Sequence, residues 1–337
     1  MRALVCEAPG RASLVDRPEP VPGPGEIVVR VRAALTCGTD LKLLRRGHPK
    51  VPFPVTLGHE LAGVVRAAGE GAAFAAGDRV TSAVTAPCGG CAPCRAERAN
   101  LCETAFEAPL WGAFADEVRL SSRLVRGAVR RIPDALAFAA ASLLDPLASV
   151  VHGLSRVASV PGGSVLIAGC GPVAGLHLSL LKKSAGRVVI AGPEPARLRT
   201  LEGMGAETVR VAPGGPAEAL AAAVPGRFDL VVDTTGSPEV ASSLAARVTP
   251  GGTLLLFAGM AGGSRVDVDA FRVHYEEVSV VGTFHYTPRD ADRALALLAS
   301  GEVPAAPLLS KSRPLAEWRE AFEEVERGDV MKVVLVP

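Results

Sequence analysis

The chain has 337 residues, with 36 Lys and Arg against 35 Asp and Glu and a formal net charge of +1. That length exceeds what one ordinary core supports, so two domains are expected. The near-neutral charge gives no electrostatic reason to expect nucleic acid or an anionic membrane as partner. Aromatic content is only 4%, and the apolar mass is Ala, Val and Leu, which suits parallel strands covered by helices. The best candidate for a bilayer span, 135–151, is cut by Asp145-Pro146, and the N-terminus shows no secretory leader, so a soluble cytoplasmic protein is expected. Gly and Pro are spread through turns, which argues against a disordered linker or an internal repeat.

From the N-terminus, short β-type runs at 3–6, 27–31, 61–67, 79–83 and 115–120 are punctuated by Gly and Pro, most densely at 18–25. Few helical patterns interrupt them, and a small barrel-like β domain is expected. Three places in it look chemical: Cys37 in Cys37-Gly38-Thr39-Asp40, His59 and Glu60 in Gly58-His59-Glu60, and Asp145 in Asp145-Pro146-Leu-Ala. A catalytic zinc wants three protein ligands of mixed S, N and O type and a fourth place left open. Cys37, His59 and Asp145 would supply that set if they converge. Taken singly, a lone Cys is more often a small buried hydrophobe and a lone His a satisfied core residue.

Between these lies Cys88-Gly-Gly-Cys91-Ala-Pro-Cys94 followed by Cys102. Four thiolates so closely spaced can wrap one tetrahedral zinc, and such a site has no open position for substrate. A pair of disulfides would need an oxidising compartment. A nucleic-acid zinc knuckle would want a basic, aromatic surface, whereas Arg95, Glu97, Arg98 and Asn100 are mixed and small. The loop reads as a structural clasp.

Beyond about 150 the periodicity changes. Strands at 164–168, 187–191, 229–233, 253–257 and 278–281 alternate with helical patterns at 173–184 and 195–204, which argues a doubly wound parallel sheet. Gly169-Cys170-Gly171-Pro172-Val173-Ala174 follows the first of these strands and opens a helix. Gly169 permits the tight turn, Gly171 lets the backbone approach a pyrophosphate, and Ala174 lets the helix pack closely, while the helix N-terminus presents amides to the phosphates. Cys170 reads as packing. An NAD site usually places an acid at the end of the second strand, but Gly192 stands there. Glu194 is close enough to do that work and favours NAD, whereas Arg197 and Arg199 would attract the extra phosphate of NADP, so both cofactors stay open. In the tail, 289–300 and 315–327 read as helices and 332–336 as a strand.

Gly58-His59-Glu60 with Gly63, Cys37-Gly-Thr-Asp, the four-cysteine loop, Gly77-Asp78-Arg79-Val80 and the Gly-rich turn together resemble the zinc-dependent medium-chain dehydrogenase/reductase family over essentially the whole chain. Cys37-Gly-Thr-Asp and Asp145-Pro-Leu-Ala are most similar to its sorbitol and threonine dehydrogenase branch. The resemblance implies a GroES-like β-barrel catalytic domain at 1–149 and 285–337, carrying the structural-zinc loop 88–102, and a Rossmann NAD(P)-binding domain at 150–284. It implies an active site in the cleft between them, two zinc ions per chain and association as a homodimer or homotetramer. Cys37 and His59 would ligate the catalytic zinc, Glu60 would lie beside the metal, and Thr39 would take the proton of the substrate hydroxyl. Asp145 stands where the branch often has a glutamate ligand; it would bind directly or through water, and direct ligation is the reading taken. Several relatives carry a His where this chain has Lys42, so the proton relay would end at Lys42, at a cofactor ribose hydroxyl or in bulk water, and Lys42 otherwise reads as a solvated charge. Thr234, Ala258, Thr283 and Phe284 would line the cofactor, with His285 and Tyr286 near the pocket mouth.

The activity implied is hydride transfer between a secondary alcohol (a polyol, sugar or cyclitol) or its ketone and NAD(P). L-threonine or a simple secondary alcohol is the alternative substrate, and a non-catalytic dinucleotide-binding relative is the alternative class. Trp111 reads as a buried structural residue or a pocket wall, His48 as loop surface, His152 as packed at a helix start, and His177 as a helix residue of the second lobe.

Overall fold

The computed structural model describes residues 1–47, 51–212 and 217–337, so the expectation for His48 lies outside the described residues. Two compact units are formed, one by Met1–Ala148 with Tyr286–Pro337 and the other by Ser149–His285.

The first unit is built on antiparallel pairing around the strand Ile27–Leu35, whose neighbours are Leu61–Ala68, Glu117–Leu120 and Lys332–Val336. Arg79–Ser82 and Val129–Arg131 extend the sheet on one side and Leu309–Pro314 on the other, giving seven strands. A second sheet joins Arg11–Asp16, Arg2–Ala8 and Val55–Thr56. Ile27, Val28 and Val29 are fully buried, as a strand enclosed on both faces requires. Gly63 is where two strands come closest: a Cβ there would lie 2.2 Å from the carbonyl oxygen of Arg30. The pairing shifts register between Val31 and Ala33 at this point, a local bulge that glycine accommodates.

That register positions the chemistry. Ala34 faces Leu61, and the amide of Leu35 donates to the carbonyl of Glu60 at 3.0 Å. Cys37 therefore leaves the end of one strand beside the point where His59 and Glu60 enter the next. On the other side Leu35 faces Val334, and the Thr36 amide donates to Val333 at 3.1 Å, which brings Lys332 alongside.

The second unit carries a six-stranded parallel sheet in the order Glu207–Arg210, Arg187–Gly192, Ser164–Ala168, Phe228–Asp233, Val248–Leu256, Ser279–Gly282. Numbered within this unit the order is 3-2-1-4-5-6, the doubly wound arrangement, and ligands on such sheets bind at the carboxyl ends where the order reverses. Leu166, Ala168, Val189, Val231 and Leu254 form its buried core.

The expected strands and helices are present with ends shifted by a few residues. Among the elements that sequence patterning passed over are Arg11–Asp16, Glu207–Arg210 and Leu309–Pro314, half-exposed segments whose polar residues hide the period of two. The helix Gly38–Arg46 was also missed; its Lys and Arg residues dilute an apolar face that buries only Leu43 and Asp40.

Candidate metal centres and dinucleotide site

In the first unit the ligand atoms of Cys37, His59 and Glu60 all lie within 4.8 Å of one another. Each comes from a strand end. Cys37 caps the helix Gly38–Arg46, and His59-Glu60 precede Leu61–Ala68. Gly58 is required at the entry: its φ is +89°, and a Cβ would stand 2.7 Å from the Phe114 amide nitrogen.

Asp40, on the same helix, is fully buried, and its Oδ1 accepts the Gly58 amide at 3.1 Å and lies 3.3 Å from His59 Nδ1. With Nδ1 committed to that carboxylate, Nε2 is the nitrogen left for a metal. Burial disfavours the imidazolium, but the Asp40 carboxylate and the Cys37 sulfur outweigh it and hold His59 well above its ordinary range. Trp111, half-buried, meets the imidazole edge-on with ring centroids 5.2 Å apart.

Glu60 is paired with buried Lys332, whose Nζ donates to both carboxylate oxygens at 2.7 and 2.9 Å and to the Thr36 carbonyl at 3.0 Å. Burial raises the Glu60 carboxyl, and Lys332 partly offsets this. Burial also opposes the Lys332 ammonium, but Glu60 and then Cys37 hold it above its ordinary range, so the lysine is charged. Neither Asp40 nor Lys332 was singled out in the sequence. Asp40 could have been suspected from its place beside Cys37, but Lys332 lies 272 residues from Glu60 and carries no signal.

Asp145 does not belong to the three-residue group. Its Oδ1 accepts the hydroxyl of Tyr286, which in turn accepts the Val84 amide at 2.9 Å. Tyr286 is buried, and burial together with Asp145 pushes its phenol well above the usual value. Thr39 and Lys42 are exposed and lie three apart on the helix, hence on one face.

The sulfurs of Cys88, Cys91, Cys94 and Cys102 form a second cluster, also within 4.8 Å of one another, with Cys88 and Cys94 at 4.0 Å. That separation matches the edge of a tetrahedron with zinc–sulfur bonds of about 2.3 Å. Amides of Gly90 and Cys91 donate to Cys88 at 3.4 and 3.3 Å, and the Cys88 amide donates to Cys102 at 3.2 Å. Those amides draw the Cys88 thiol down to about 6, while desolvation and the Cys91 thiol push Cys94 up to about 12. Four sulfurs this close need a cation to be thiolates together. Arg123 ties the loop to the barrel through Thr104 and the Ala86 carbonyl, both at 2.9 Å.

In the second unit the Gly-rich turn leaves the strand Ser164–Ala168 beside Thr234, which follows the neighbouring strand. Gly169 has φ +102°, and a Cβ would sit 2.3 Å from Thr234 Oγ1. Gly171 caps the helix Pro172–Leu181, with Pro172 at its first position, and a Cβ on Gly171 would meet no protein atom within 4 Å. The space beside Gly171 is thus open at the helix N-terminus, as a phosphate-binding turn demands. Ala174 is fully buried. Thr234, Ala258, Thr283 and Phe284 each follow the carboxyl end of a strand in the same sheet. Phe284 is 54% exposed. Glu194 precedes the helix Pro195–Gly203, which carries Arg197, half-buried, and Arg199, exposed.

A closed four-sulfur centre and a mixed S, N, O centre on one unit, with a phosphate-binding turn on a doubly wound sheet in the other, define a zinc-dependent, nicotinamide-dinucleotide oxidoreductase. Residues 23–130 match the family model of the alcohol dehydrogenase GroES-like domain, and 172–300 match that of the zinc-binding dehydrogenases. The chain is 35% identical over 331 residues to D-altritol 5-dehydrogenase of Agrobacterium fabrum, covering 96% of this chain and 95% of that protein. It is 28% identical to sorbitol dehydrogenase of Halalkalibacterium halodurans, covering 100% and 99%. A crystal structure from Sinorhizobium meliloti bound to NADP superposes with a TM-score of 0.85 at 30% identity, covering 100% and 99%. The chain belongs to the zinc-dependent medium-chain dehydrogenase family, in its sorbitol dehydrogenase-like branch. It is an NAD(P)-dependent oxidoreductase of alcohols. No helix among the described residues is long and apolar enough to cross a membrane.

Proposed function

We propose that this enzyme oxidises a secondary hydroxyl of a polyol, or reduces the corresponding ketose, at the Cys37–His59–Glu60 cluster. The observation that carries the reading is the convergence of a thiol, an imidazole and a carboxylate within 4.8 Å at the ends of two paired strands. Zinc held by Cys37 and His59 would supply Lewis acidity toward the alcohol oxygen, and the dinucleotide would take up the hydride. Asp40 orients His59. Lys332 neutralises Glu60, so that its carboxylate stays beside the metal position without adding an unpaired buried charge. Thr39 accepts the hydroxyl proton while giving up its own, which leaves toward solvent along the helix face that also carries Lys42. Asp145, whose Oδ1 accepts the Tyr286 hydroxyl, is read as the further carboxylate toward the metal, bound directly or through water.

Residues 1–149 and 285–337 form the catalytic domain in this reading, and 150–284, with Gly169 to Ala174, Glu194, Arg197, Thr234, Ala258, Thr283 and Phe284, hold the dinucleotide. Cys88, Cys91, Cys94 and Cys102 hold a structural zinc. The enzyme is read as cytoplasmic and as a homodimer or homotetramer. Self-association is supported by the edge strand Ser279–Gly282 and by Phe271 and Tyr275, which are 60% and 70% exposed.

The test is a panel of polyols, ketoses, L-threonine and simple secondary alcohols assayed with each dinucleotide, alongside Cys37→Ala and His59→Ala. The expected result is a higher kcat/KM for polyols than for simple alcohols, with turnover lost in both variants and dinucleotide binding kept. Full activity in either variant sinks the site assignment, and turnover of threonine alone replaces the polyol reading.

A further inference from the structure

The strand Arg187–Gly192 ends where sheets of this type usually present an acid to the adenosine ribose. Here a side chain cannot start at that position. A Cβ on Gly192 would lie 2.2 Å from Cys170 Sγ and 2.6 Å from Cys170 Cβ. The Cys170 side chain, only 2% exposed, fills the space that an aspartate at the strand end would need.

The carboxylate reappears two residues later, held by that thiol. Cys170 Sγ donates to Glu194 Oε2 at 2.8 Å. Burial and the neighbouring carboxylate keep the thiol protonated, raising it to about 12, so it serves as a donor. The other oxygen, Oε1, lies 4.0 Å from Arg197 Nη1, one turn along the helix. The Glu194 side chain is 31% exposed and that of Arg197 is 13% exposed. The acid is thus braced from beneath by sulfur and from one side by a guanidinium, with part of its surface open to solvent.

Taking the dehydrogenase reading and its phosphate-binding turn as the starting point, we infer that Cys170 is a positioning residue for cofactor selection, fixing Glu194 as the acid that receives the adenosine ribose hydroxyls and so favouring NAD over NADP. A ribose 2′-hydroxyl can donate to a carboxylate whose orientation is already set. A 2′-phosphate would meet the same fixed negative charge, with Arg197 already engaged by that charge rather than offered to the phosphate. Arg199 is exposed, two residues further along the helix. The sulfur between the two glycines has two effects: it excludes an acid from Gly192 and it holds the replacement.

The experiment is fluorescence titration of NADH and NADPH against the wild type, Glu194→Gln, Cys170→Ala and Cys170→Ser, with thermal unfolding of each. The wild type should bind NADH at least tenfold more tightly than NADPH. Glu194→Gln should lower that ratio tenfold or more, chiefly by tightening NADPH as the carboxylate charge that opposes a 2′-phosphate is removed. Cys170→Ala should lower it severalfold, and Cys170→Ser, which keeps a donor, should restore most of it. Equal or tighter NADPH binding by the wild type overturns the inference, as does an unchanged ratio in Glu194→Gln. Identical ratios in Cys170→Ala and Cys170→Ser show that the thiol only packs, and overturn the positioning role. Binding of neither nucleotide by the wild type overturns the dehydrogenase reading, and this inference with it.

Discussion

Asp40 Oδ1 stands 3.3 Å from His59 Nδ1 while accepting the amide of Gly58, so one buried carboxylate oxygen sets both the imidazole and the turn that carries it. Asp40 reaches this point because the helix Gly38–Arg46 begins directly after Cys37. The residue that supplies the candidate sulfur ligand and the residue that orients the candidate nitrogen ligand are therefore fixed by one turn of helix.

Asp40→Asn should weaken zinc retention and kcat/KM about 10- to 100-fold, the usual cost of losing a carboxylate behind a ligating histidine. Metal analysis after dialysis, with activity measured before and after added zinc, checks this. Retention of metal and of full activity would show that the Asp40–His59 contact does not orient the ligand.

Lys332→Met would leave Glu60 buried without its cation. Removing one partner of a buried pair typically costs about 3–5 kcal/mol. Both tryptophans, Trp111 and Trp318, lie in the first unit, so their fluorescence during denaturant unfolding reports on this unit. The double variant Glu60→Gln/Lys332→Met should be less destabilised than Lys332→Met alone. If the two are equally unstable, charge is not the cause.

Cys91→Ser should lower the zinc content from two ions per chain to one and reduce the melting temperature, leaving the ligand set around Cys37 intact. Loss of a thiolate from a closed site forfeits folding energy supplied by the metal. Unchanged zinc content would remove the four-sulfur loop from the list of metal sites.

His177 gives the second unit a pH dependence. It is fully buried, its Nδ1 donates to the Val173 carbonyl at 2.9 Å, its ring meets Phe257 edge-on at 4.7 Å, and burial lowers it to about 4. The unfolded chain binds this proton near the ordinary imidazole value of about 6.5, so between there and 4 the unfolded state holds more protons and stability falls as pH falls. The full loss from this group is about 3 kcal/mol. Calorimetric scans from pH 7 to pH 4 on the wild type and His177→Leu should show a shallower decline in the variant. Parallel curves would assign the acid sensitivity to other groups.

The local signals in the sequence were those whose chemistry is contained in a few consecutive residues. The Gly169–Ala174 turn, the Cys88–Cys102 loop and the alternation of strands and helices in the second unit depend on backbone conformation and short spacing, which a linear pattern records. Gly58 and Gly63 are likewise local necessities, one for its positive φ and one for the approach of a neighbouring carbonyl.

Which charged groups meet was decided by strand register, and register is a long-range property. The pairing of Leu35 with Val334 brings Lys332 to Glu60, and no spacing rule connects residues so far apart. Tyr286 was legible as a polar residue near the pocket mouth, whereas only the fold shows that its hydroxyl is given to Asp145 Oδ1. Gly192 read as a missing acid; in three dimensions it is the space occupied by Cys170. The sequence alone determined the family, the two kinds of centre and the order of the elements, because those rest on residue type and local spacing. The tertiary structure alone decided which buried charges are paired and what fills the space beside Gly192, because those rest on side-chain volumes and strand pairings that the chain makes only when folded.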